Sequence, residues 1–339
     1  MKTFAAVFLL LATCLQMQRA LALPSDGNSS NYANGLDFVY PFPVHFYNFM
    51  SQGQNLSMAY MDVQPTNDAE EQKGTVVLLH GKNFCACTWN ETIRVLADDG
   101  YRVVAVDQIG FCKSTKPAAY QFSLYQLAFN TNNLLNSLSI TNATIMGHSM
   151  GGMLSARYAL MFPSQTYRLV LVDPLGLENW FALGVPYQSI DKSYKTELNT
   201  SYTSIRTYQQ STYYSGNWDP SYDVWVNMLL SIYKGPEGAK FAFNMAATTD
   251  MIFTQPWIYE TTNITMNTLL VVGDTDNTAI GKAWAPPSVQ QLLGHYDVLG
   301  PKVCAQIEKC TLRAFEGLGH APQVEDPEAF HGALLEWLQ

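Results

Sequence analysis

The chain has 339 residues, of which 47% are hydrophobic and only 14% are charged, and its formal net charge is −9. These proportions provide for a large buried core and exclude a generally disordered chain. The acidic balance, together with the lack of a Lys/Arg cluster, argues against a nucleic-acid partner. There is no internal repeat at solenoid or propeller spacing, so the expected class is an ordinary globular domain.

The first residues have the pattern of a secretion signal. Lys2 precedes a run of apolar residues at 4–15 that is too short to span a bilayer, and Ala20-Leu21-Ala22 matches a small-x-small cleavage site. We therefore predict a signal peptide over 1–22, and a protein that is secreted, or periplasmic if its host is a bacterium. No membrane association is expected after cleavage, although an uncleaved anchor is the alternative interpretation.

Export changes how the cysteines and the Asn-x-Ser/Thr sequences are interpreted. An oxidising compartment favours disulfides, so the five cysteines beyond the signal predict two bridges and one free thiol. The number of Asn-x-Ser/Thr sequences is mildly above the number expected by chance, which favours a eukaryotic secreted glycoprotein. They lie at Asn28, Asn55, Asn90, Asn142, Asn199 and Asn263.

From residue 44 onwards, short apolar runs that are typical of buried strands alternate with segments of helical spacing. Two paired strands are expected within 44–63. The further predicted strands are 76–81, 101–107, 143–149, 168–174, 268–274 and 311–315, and the predicted helices are 89–98, 123–138, 150–162 and 327–338. This alternation predicts an α/β fold with a mostly parallel central sheet and helices on both faces.

The alternation stops between residues 175 and 266, where no strong strand is found. We interpret this segment as an insertion into a core formed by 23–174 and 267–339. It contains nine of the 19 Tyr and four of the seven Trp. These side chains either line an apolar or aromatic pocket or simply pack the inserted helices, and the sequence leaves both possibilities open.

The G-x-S-x-G sequence at 147–151 follows a predicted strand and begins a predicted helix. A sharp turn of this kind raises the hydroxyl of Ser149 above the sheet edge, and it directs the backbone N–H of Met150 towards developing negative charge. A serine needs a base that takes its proton. Of the six histidines, His320 is the candidate, because it lies on a Gly-rich loop directly after the last strand.

An acid must orient this imidazole, and a second donor must stabilise the substrate oxygen. The chain order points to the loop after strand 268–274, where Asp276 is the first candidate and Asp274 the second; Asp173 is a third. For the second donor we choose the backbone N–H of Lys82, with that of Asn83 as the alternative. No Cys/His spacing indicates a metal site, and no cofactor is expected.

These motifs resemble the α/β-hydrolase fold family in its esterase, C–C hydrolase and haloperoxidase-like branch. The sequences HG…W, D-x-x-G-x-x-x-S, GHSMGG, GDTDNTA and GLGHAP follow one another in the order of that family. The resemblance implies a Ser149, Asp276, His320 triad with Lys82 and Met150 as oxyanion donors, and a helical cap at 175–266. A serine at the nucleophile position argues against epoxide hydrolase or dehalogenase chemistry.

The sequence departs from the family at two positions, because Cys112 replaces a small glycine and Lys82 an apolar residue. On the family's fold, Cys112 follows a strand adjacent to the one that precedes Cys85 and Cys87, and it could bridge to either of them. Cys304 and Cys310 would form a second, local bridge. Whichever of Cys85 and Cys87 does not pair with Cys112 would then be the free thiol.

The predicted function is a cofactor-independent serine hydrolase that cleaves an ester or lactone of a small apolar or aromatic molecule. Amide hydrolysis, C–C cleavage and peracid formation use the same layout and remain alternatives. A non-enzymatic binding protein on a hydrolase scaffold is the alternative from another class. The oligomeric state is not predicted.

Overall fold

The structure is a computed structural model, and it describes residues 32–66 and 72–339. The predicted signal peptide and the glycosylation sequence at Asn28 lie outside the described residues. Among those that are described, no helix combines the length and apolarity needed to cross a membrane.

A central sheet of eight strands organises the molecule. A small antiparallel ribbon of β1 (Tyr32–Ala33) and β2 (Leu36–Asp37) precedes it. The sheet strands are β3 (Val44–Ser51), β4 (Gln54–Val63), β5 (Thr75–Leu79), β6 (Arg102–Val106), β7 (Ala143–His148), β8 (Thr166–Val172), β9 (Asn267–Gly273) and β10 (Cys310–Phe315). Their order across the sheet is β10-β9-β8-β7-β5-β6-β4-β3. The six strands from β5 to β10 run parallel, β4 runs antiparallel to its neighbour β6, and the edge strand β3 pairs antiparallel with β4.

Helices cover the sheet and connect its strands. They are α1 (Asn90–Asp98), α2 (Leu124–Ser137), α3 (Met150–Met161), α4 (Ile190–Leu198), α5 (Tyr202–Tyr208), α6 (Asp223–Lys234), α7 (Gly238–Thr254), α8 (Pro287–Gln290), α9 (Tyr296–Cys304), α10 (Pro322–Glu325) and α11 (Pro327–Leu338). The predicted α/β class with a mostly parallel sheet is confirmed.

The parallel strands are buried because both faces of the sheet are covered. Every residue of β7 is buried, and only the first residue of β5 and of β6 is partly exposed. Runs of Val, Leu and Ile without alternation are the expected sequence of such strands. The carboxyl ends of the parallel strands all reach the same edge of the sheet, which is where an open α/β sheet places its functional loops.

Helices and turns make up the segment between β8 and β9. The helices α4, α5, α6 and α7 lie within 175–266, and no strand is found in this part of the chain, all of which the structure describes. A π-helical turn, Gln209–Tyr213, follows α5 directly. Tyr213, the last residue of this turn, contacts the loop of His320.

The cysteines pair as Cys85–Cys112 and Cys304–Cys310, and Cys87 is free and buried. Of the two possible partners of Cys112, Cys85 is therefore the one that forms the bridge in the structure. Cys87 belongs to the short 3₁₀ turn Ala86–Trp89, and its thiol instead contacts the sulfur of Met228 on α6 at 3.3 Å. Burial, which disfavours the thiolate, raises the pKa of Cys87 well above its usual value.

Candidate active site

Ser149 lies at the turn between β7 and α3, in a backbone conformation that only a strongly constrained site retains. Its φ is +60° and its ψ −118°, a combination that costs a non-glycine residue on the order of 1–3 kcal/mol. A Cβ atom on Gly147 would approach the carbonyl oxygen of Gly151 to 2.0 Å, and one on Gly151 would approach that of Leu79 to 2.1 Å. Glycine at both positions lets helix α3 start so close to the sheet that the turn is forced.

His320 and Asp276 meet Ser149 at this edge of the sheet. The Nε2 atom of His320 lies 2.8 Å from the Oγ of Ser149, and its Nδ1 lies 2.6 Å from the Oδ2 of Asp276. All three side chains are almost completely buried. With the proton on Nδ1, the imidazole donates to the carboxylate and accepts from the hydroxyl, which is the arrangement that makes a serine nucleophilic.

The loop that carries His320 is fixed from two sides. The backbone N–H of His320 donates to the carbonyl oxygen of Tyr213 in the π-helical turn at 2.8 Å. The centroids of the His320 and Tyr213 rings lie 4.9 Å apart. On the other side, the Nε2 of His148 lies 2.6 Å from the carbonyl oxygen of His320. Burial lowers the pKa of His148 well below its usual value, so this ring supports the loop as a neutral donor.

The structure distinguishes among the three candidate acids. Asp276 faces His320, and its other oxygen accepts the backbone N–H of Thr278 at 2.8 Å. Asp274 accepts the backbone N–H of Gly317 at 2.7 Å and thus closes the base of the loop. Asp173 lies behind Asp276 and is completely buried. Only Asp276 is in direct hydrogen-bond contact with the imidazole.

The loop that follows β5 is held against Ser149 by a buried network around Asp107. One carboxylate oxygen of Asp107 accepts the backbone N–H of Ala86 at 2.7 Å; the other accepts the hydroxyl of Tyr40 at 2.6 Å and the backbone N–H of Lys113 at 3.0 Å. The Cys85–Cys112 bridge joins the same two loops. The D-x-x-G-x-x-x-S sequence therefore has a structural role: it fixes the position of the neighbouring loop.

Two backbone N–H groups near Ser149 remain available for a substrate oxygen. A Cβ atom on Gly81 would lie only 3.1 Å from the Cβ of Ser149, so the next residue, Lys82, is adjacent to the nucleophile. Neither the N–H of Lys82 nor that of Met150 has an acceptor within the described parts of the chain. Unpaired N–H groups beside a nucleophile, one of them at a helix N-terminus, suit a developing oxyanion.

The side chain of Lys82 has an ionic partner in the inserted segment. Its ammonium lies 3.0 Å from a carboxylate oxygen of Glu197, and both side chains are largely buried. The other oxygen of Glu197 accepts the hydroxyl of Tyr233. Asn83 makes a similar connection, because its amide donates to the hydroxyl of Tyr213 at 2.8 Å. The segment 175–266 is therefore tied directly to the loop that follows β5.

A cavity of about 970 Å³ opens at Ser149 between this loop, the inserted segment and residues 277–284. Its wall is mixed, with apolar groups from Leu175, Ile205 and Leu229 beside many hydroxyl and amide groups. Within 175–266, only Tyr208, Tyr213 and Tyr233 among the aromatic residues line it. Most of the aromatic side chains, including the buried Trp180 and Trp257, instead pack the segment together. The packing interpretation therefore accounts for more of them than the pocket interpretation.

Comparisons with known proteins agree with this architecture. A family model described as alpha/beta hydrolase fold matches residues 74–219. The chain is 54% identical to a probable hydrolytic enzyme of known structure from Pseudomonas aeruginosa PAO1, with a TM-score of 0.88, and the match covers 91% of this chain and 98% of that one. The chain therefore belongs to the α/β-hydrolase fold family, and it is a hydrolase.

More distant relatives carry more specific names. A 2-hydroxy-6-oxononadienedioate/2-hydroxy-6-oxononatrienedioate hydrolase from Comamonas testosteroni is 26% identical over 80% of this chain and 90% of its own length. A putative carbamate hydrolase RutD from Pantoea ananatis is 25% identical over 81% of this chain and 90% of its own length. Both names describe hydrolysis of small molecules, and they differ in the bond that is broken.

Glu325 is a further titratable group beside the loop of His320, and the sequence analysis did not identify it. Its Oε1 accepts the backbone N–H groups of Gly319 at 2.9 Å and of Ala321 at 3.3 Å, the two neighbours of His320. Burial nevertheless raises the pKa of Glu325 to about 7. Glu325 lies on the short helix α10, and no sequence motif indicates its role.

We predict that Glu325 makes the protein less stable as the pH rises. Because the folded chain keeps a proton that the unfolded chain releases near pH 4.5, the stabilising contribution is complete below pH 4.5 and is lost as the pH rises to about 7. Glu325→Gln keeps the acceptor and should flatten this part of the curve of unfolding free energy against pH, measured by urea denaturation. Glu316→Gln, an exposed carboxyl on the same loop, is the control; an unchanged slope in Glu325→Gln would contradict the prediction.

Proposed function

We propose that the protein is a serine hydrolase that cleaves an ester or lactone of a small molecule through an acyl-enzyme. The observation that carries this proposal is the continuous chain of contacts from Ser149 to His320 to Asp276, with both imidazole nitrogens within 2.8 Å of their partners. The mouth of the cavity at Ser149 supplies access for a substrate. No cofactor is needed for this chemistry.

The reaction then proceeds in two halves. His320 takes the proton of Ser149 as its oxygen attacks the carbonyl carbon, and Asp276 stabilises the resulting imidazolium. The backbone N–H groups of Lys82 and Met150 bind the oxyanion. When the tetrahedral intermediate collapses, His320 gives its proton to the leaving alcohol. Water, deprotonated by the same imidazole, attacks the acyl group, and His320 returns this proton to the oxygen of Ser149 as the acid is released.

The cavity wall supports a substrate that carries polar groups beside its apolar part. Four lysines and one glutamate line the wall, in a chain whose formal net charge is −9. The lysines are Lys82, Lys192, Lys195 and Lys282. The sequence-based expectation of an apolar or aromatic molecule is therefore supported only for the part of the substrate that lies against Leu175, Ile205 and Leu229.

Hydrolysis of a carbon–carbon bond is the second candidate reaction. It is favoured by the 26% identical relative from Comamonas testosteroni, whose name describes hydrolysis of an oxo-dienedioate. The same serine, base and oxyanion donors would act on the ketone carbonyl. An oxo-dienedioate included in the substrate panel distinguishes this reaction from ester hydrolysis. Cleavage of its carbon–carbon bond shortens the conjugated system, so the absorbance of the substrate falls.

Export from the cytoplasm is also part of the proposal. It is supported by the positive, apolar and small-residue pattern of residues 1–22 and by the two disulfides, which form in oxidising compartments. Four of the Asn-x-Ser/Thr sequences have an exposed asparagine that a glycan could reach: Asn55, Asn142, Asn199 and Asn263.

An activity screen with p-nitrophenyl esters of graded chain length, lactones and the dienedioate tests the reaction. We expect turnover of at least one ester or lactone, and we expect Ser149→Ala to lower kcat by about 10³-fold or more. A fluorophosphonate probe should label the wild-type protein and not this variant. Unaltered labelling of Ser149→Ala, or a folded wild-type protein that is neither labelled nor active, would contradict the proposal.

Replacing the two aspartates of the loop separately tests the acid. Asp276→Asn should lower kcat by about 10²- to 10⁴-fold, because the amide no longer favours the protonated imidazole or the required tautomer. Asp274→Asn is a matched control, since its side-chain oxygen can still accept the N–H of Gly317, and its kcat should stay near the wild-type value. The assignment is wrong if only Asp274→Asn abolishes turnover.

A further inference from the structure

Asp173 is a second carboxyl group behind the proposed triad, and the mechanism above does not use it. It directly follows β8, its φ is +40°, and it is completely buried. Its Oδ1 accepts the backbone N–H of Gly273 at 2.8 Å. Its Oδ2 is buried and has no hydrogen-bond partner among the described residues. An orphaned polar atom in the core calls for an explanation.

The surroundings of Asp173 are crowded with acidic charge. One oxygen of Asp173, one oxygen of Asp276 and a ring nitrogen of His320 all lie within 4.8 Å of one another. Further titratable groups that act on members of this cluster are Glu325, His148, Tyr208 and Tyr296. Two ionised carboxylates at such a distance in a buried site repel each other strongly, so one of them keeps its proton.

The hydrogen bonds indicate which of the two carboxyl groups, Asp173 or Asp276, keeps the proton. Asp276 accepts two N–H groups, those of Thr278 and of the His320 ring, whereas Asp173 accepts one. Donors stabilise a carboxylate, so the negative charge belongs on Asp276. Burial and the neighbouring charge of Asp276 raise the pKa of Asp173 well above its usual value, in agreement with this distribution.

We propose that Asp173 is a positioning residue that stays protonated and donates from Oδ2 to the carboxylate of Asp276. This inference rests on the proposed function, because it assigns a role within the same site. The donated proton gives Asp276 a third hydrogen bond and fixes the orientation of its carboxylate towards His320. It also leaves a single negative charge next to the imidazole of His320.

Asp173→Asn provides the sharpest test, because asparagine copies a protonated aspartate. Its oxygen can accept the N–H of Gly273 and its amide can donate to Asp276. We expect the acidic midpoint of the kcat/KM profile against pH to stay at the wild-type value, with kcat little changed. If Asp173 were ionised, the substitution would remove a negative charge near the imidazole, and the midpoint would fall by about 1 unit or more. A fall of this size would overturn the proposal.

Asp173→Leu removes the donor while filling a similar volume. We expect kcat to fall by about tenfold or more with KM unchanged, and the low-field proton resonance of the His320–Asp276 hydrogen bond to weaken or shift. Wild-type kcat together with an unaltered resonance would overturn the positioning role. Because burial raises the pKa of Glu325 to about 7, the infrared measurement uses Glu325→Gln as the background. At pH 7 we expect this protein to show a band of a protonated carboxyl that is lost when Asp173→Asn is added, a result that does not depend on activity. A spectrum that Asp173→Asn leaves unchanged would also overturn the proposal.

These outcomes differ from a failure of the proposed function. If the serine mechanism is wrong, Ser149→Ala retains activity whatever Asp173 does. If only the inference about Asp173 is wrong, Ser149→Ala is inactive while the midpoint in Asp173→Asn moves.

Discussion

The close approach of helix α3 to the sheet is the constraint on which the site depends. Gly147 and Gly151 leave no room for a Cβ atom, because neighbouring carbonyl oxygens lie near 2 Å from where it would be. This contact bends the chain so sharply that Ser149 adopts a positive φ. The cost of that conformation is offset by the buried strands on both sides of β7, which hold the turn in place. The hydroxyl is thereby presented at the sheet edge before any substrate arrives.

The remaining groups are brought to the same edge by the parallel sheet. The loops after β5, β9 and β10 carry Lys82, Asp276 and His320, and each loop is fastened by hydrogen bonds that come from distant parts of the chain. Tyr213 connects two of these loops, since its backbone holds His320 and its hydroxyl holds Asn83. The segment 175–266 therefore contributes residues to the cavity wall and also hydrogen bonds that hold these two loops.

The sequence predicts the sheet, the elbow and the histidine because each depends on a local pattern. It does not decide between Asp274 and Asp276, or between Cys85 and Cys87, because the members of each pair lie only two residues apart and the direction of a side chain in a loop is not a local property. The contacts of Lys82 with Glu197 and of Asp173 with Asp276 join residues about a hundred positions apart. Helix α9 is absent from the predicted elements, since Gly300 and Pro301 within it signal a break.

Trapping the covalent intermediate tests the central claim most directly. The protein is mixed with p-nitrophenyl acetate, quenched in acid during turnover, digested and analysed by mass spectrometry. The account predicts one acetyl group, located on Ser149, which is lost when the protein is left to complete its turnover before quenching. Release of p-nitrophenol with no acetyl group on Ser149, or with the acetyl group on a different side chain such as Lys82, would contradict it.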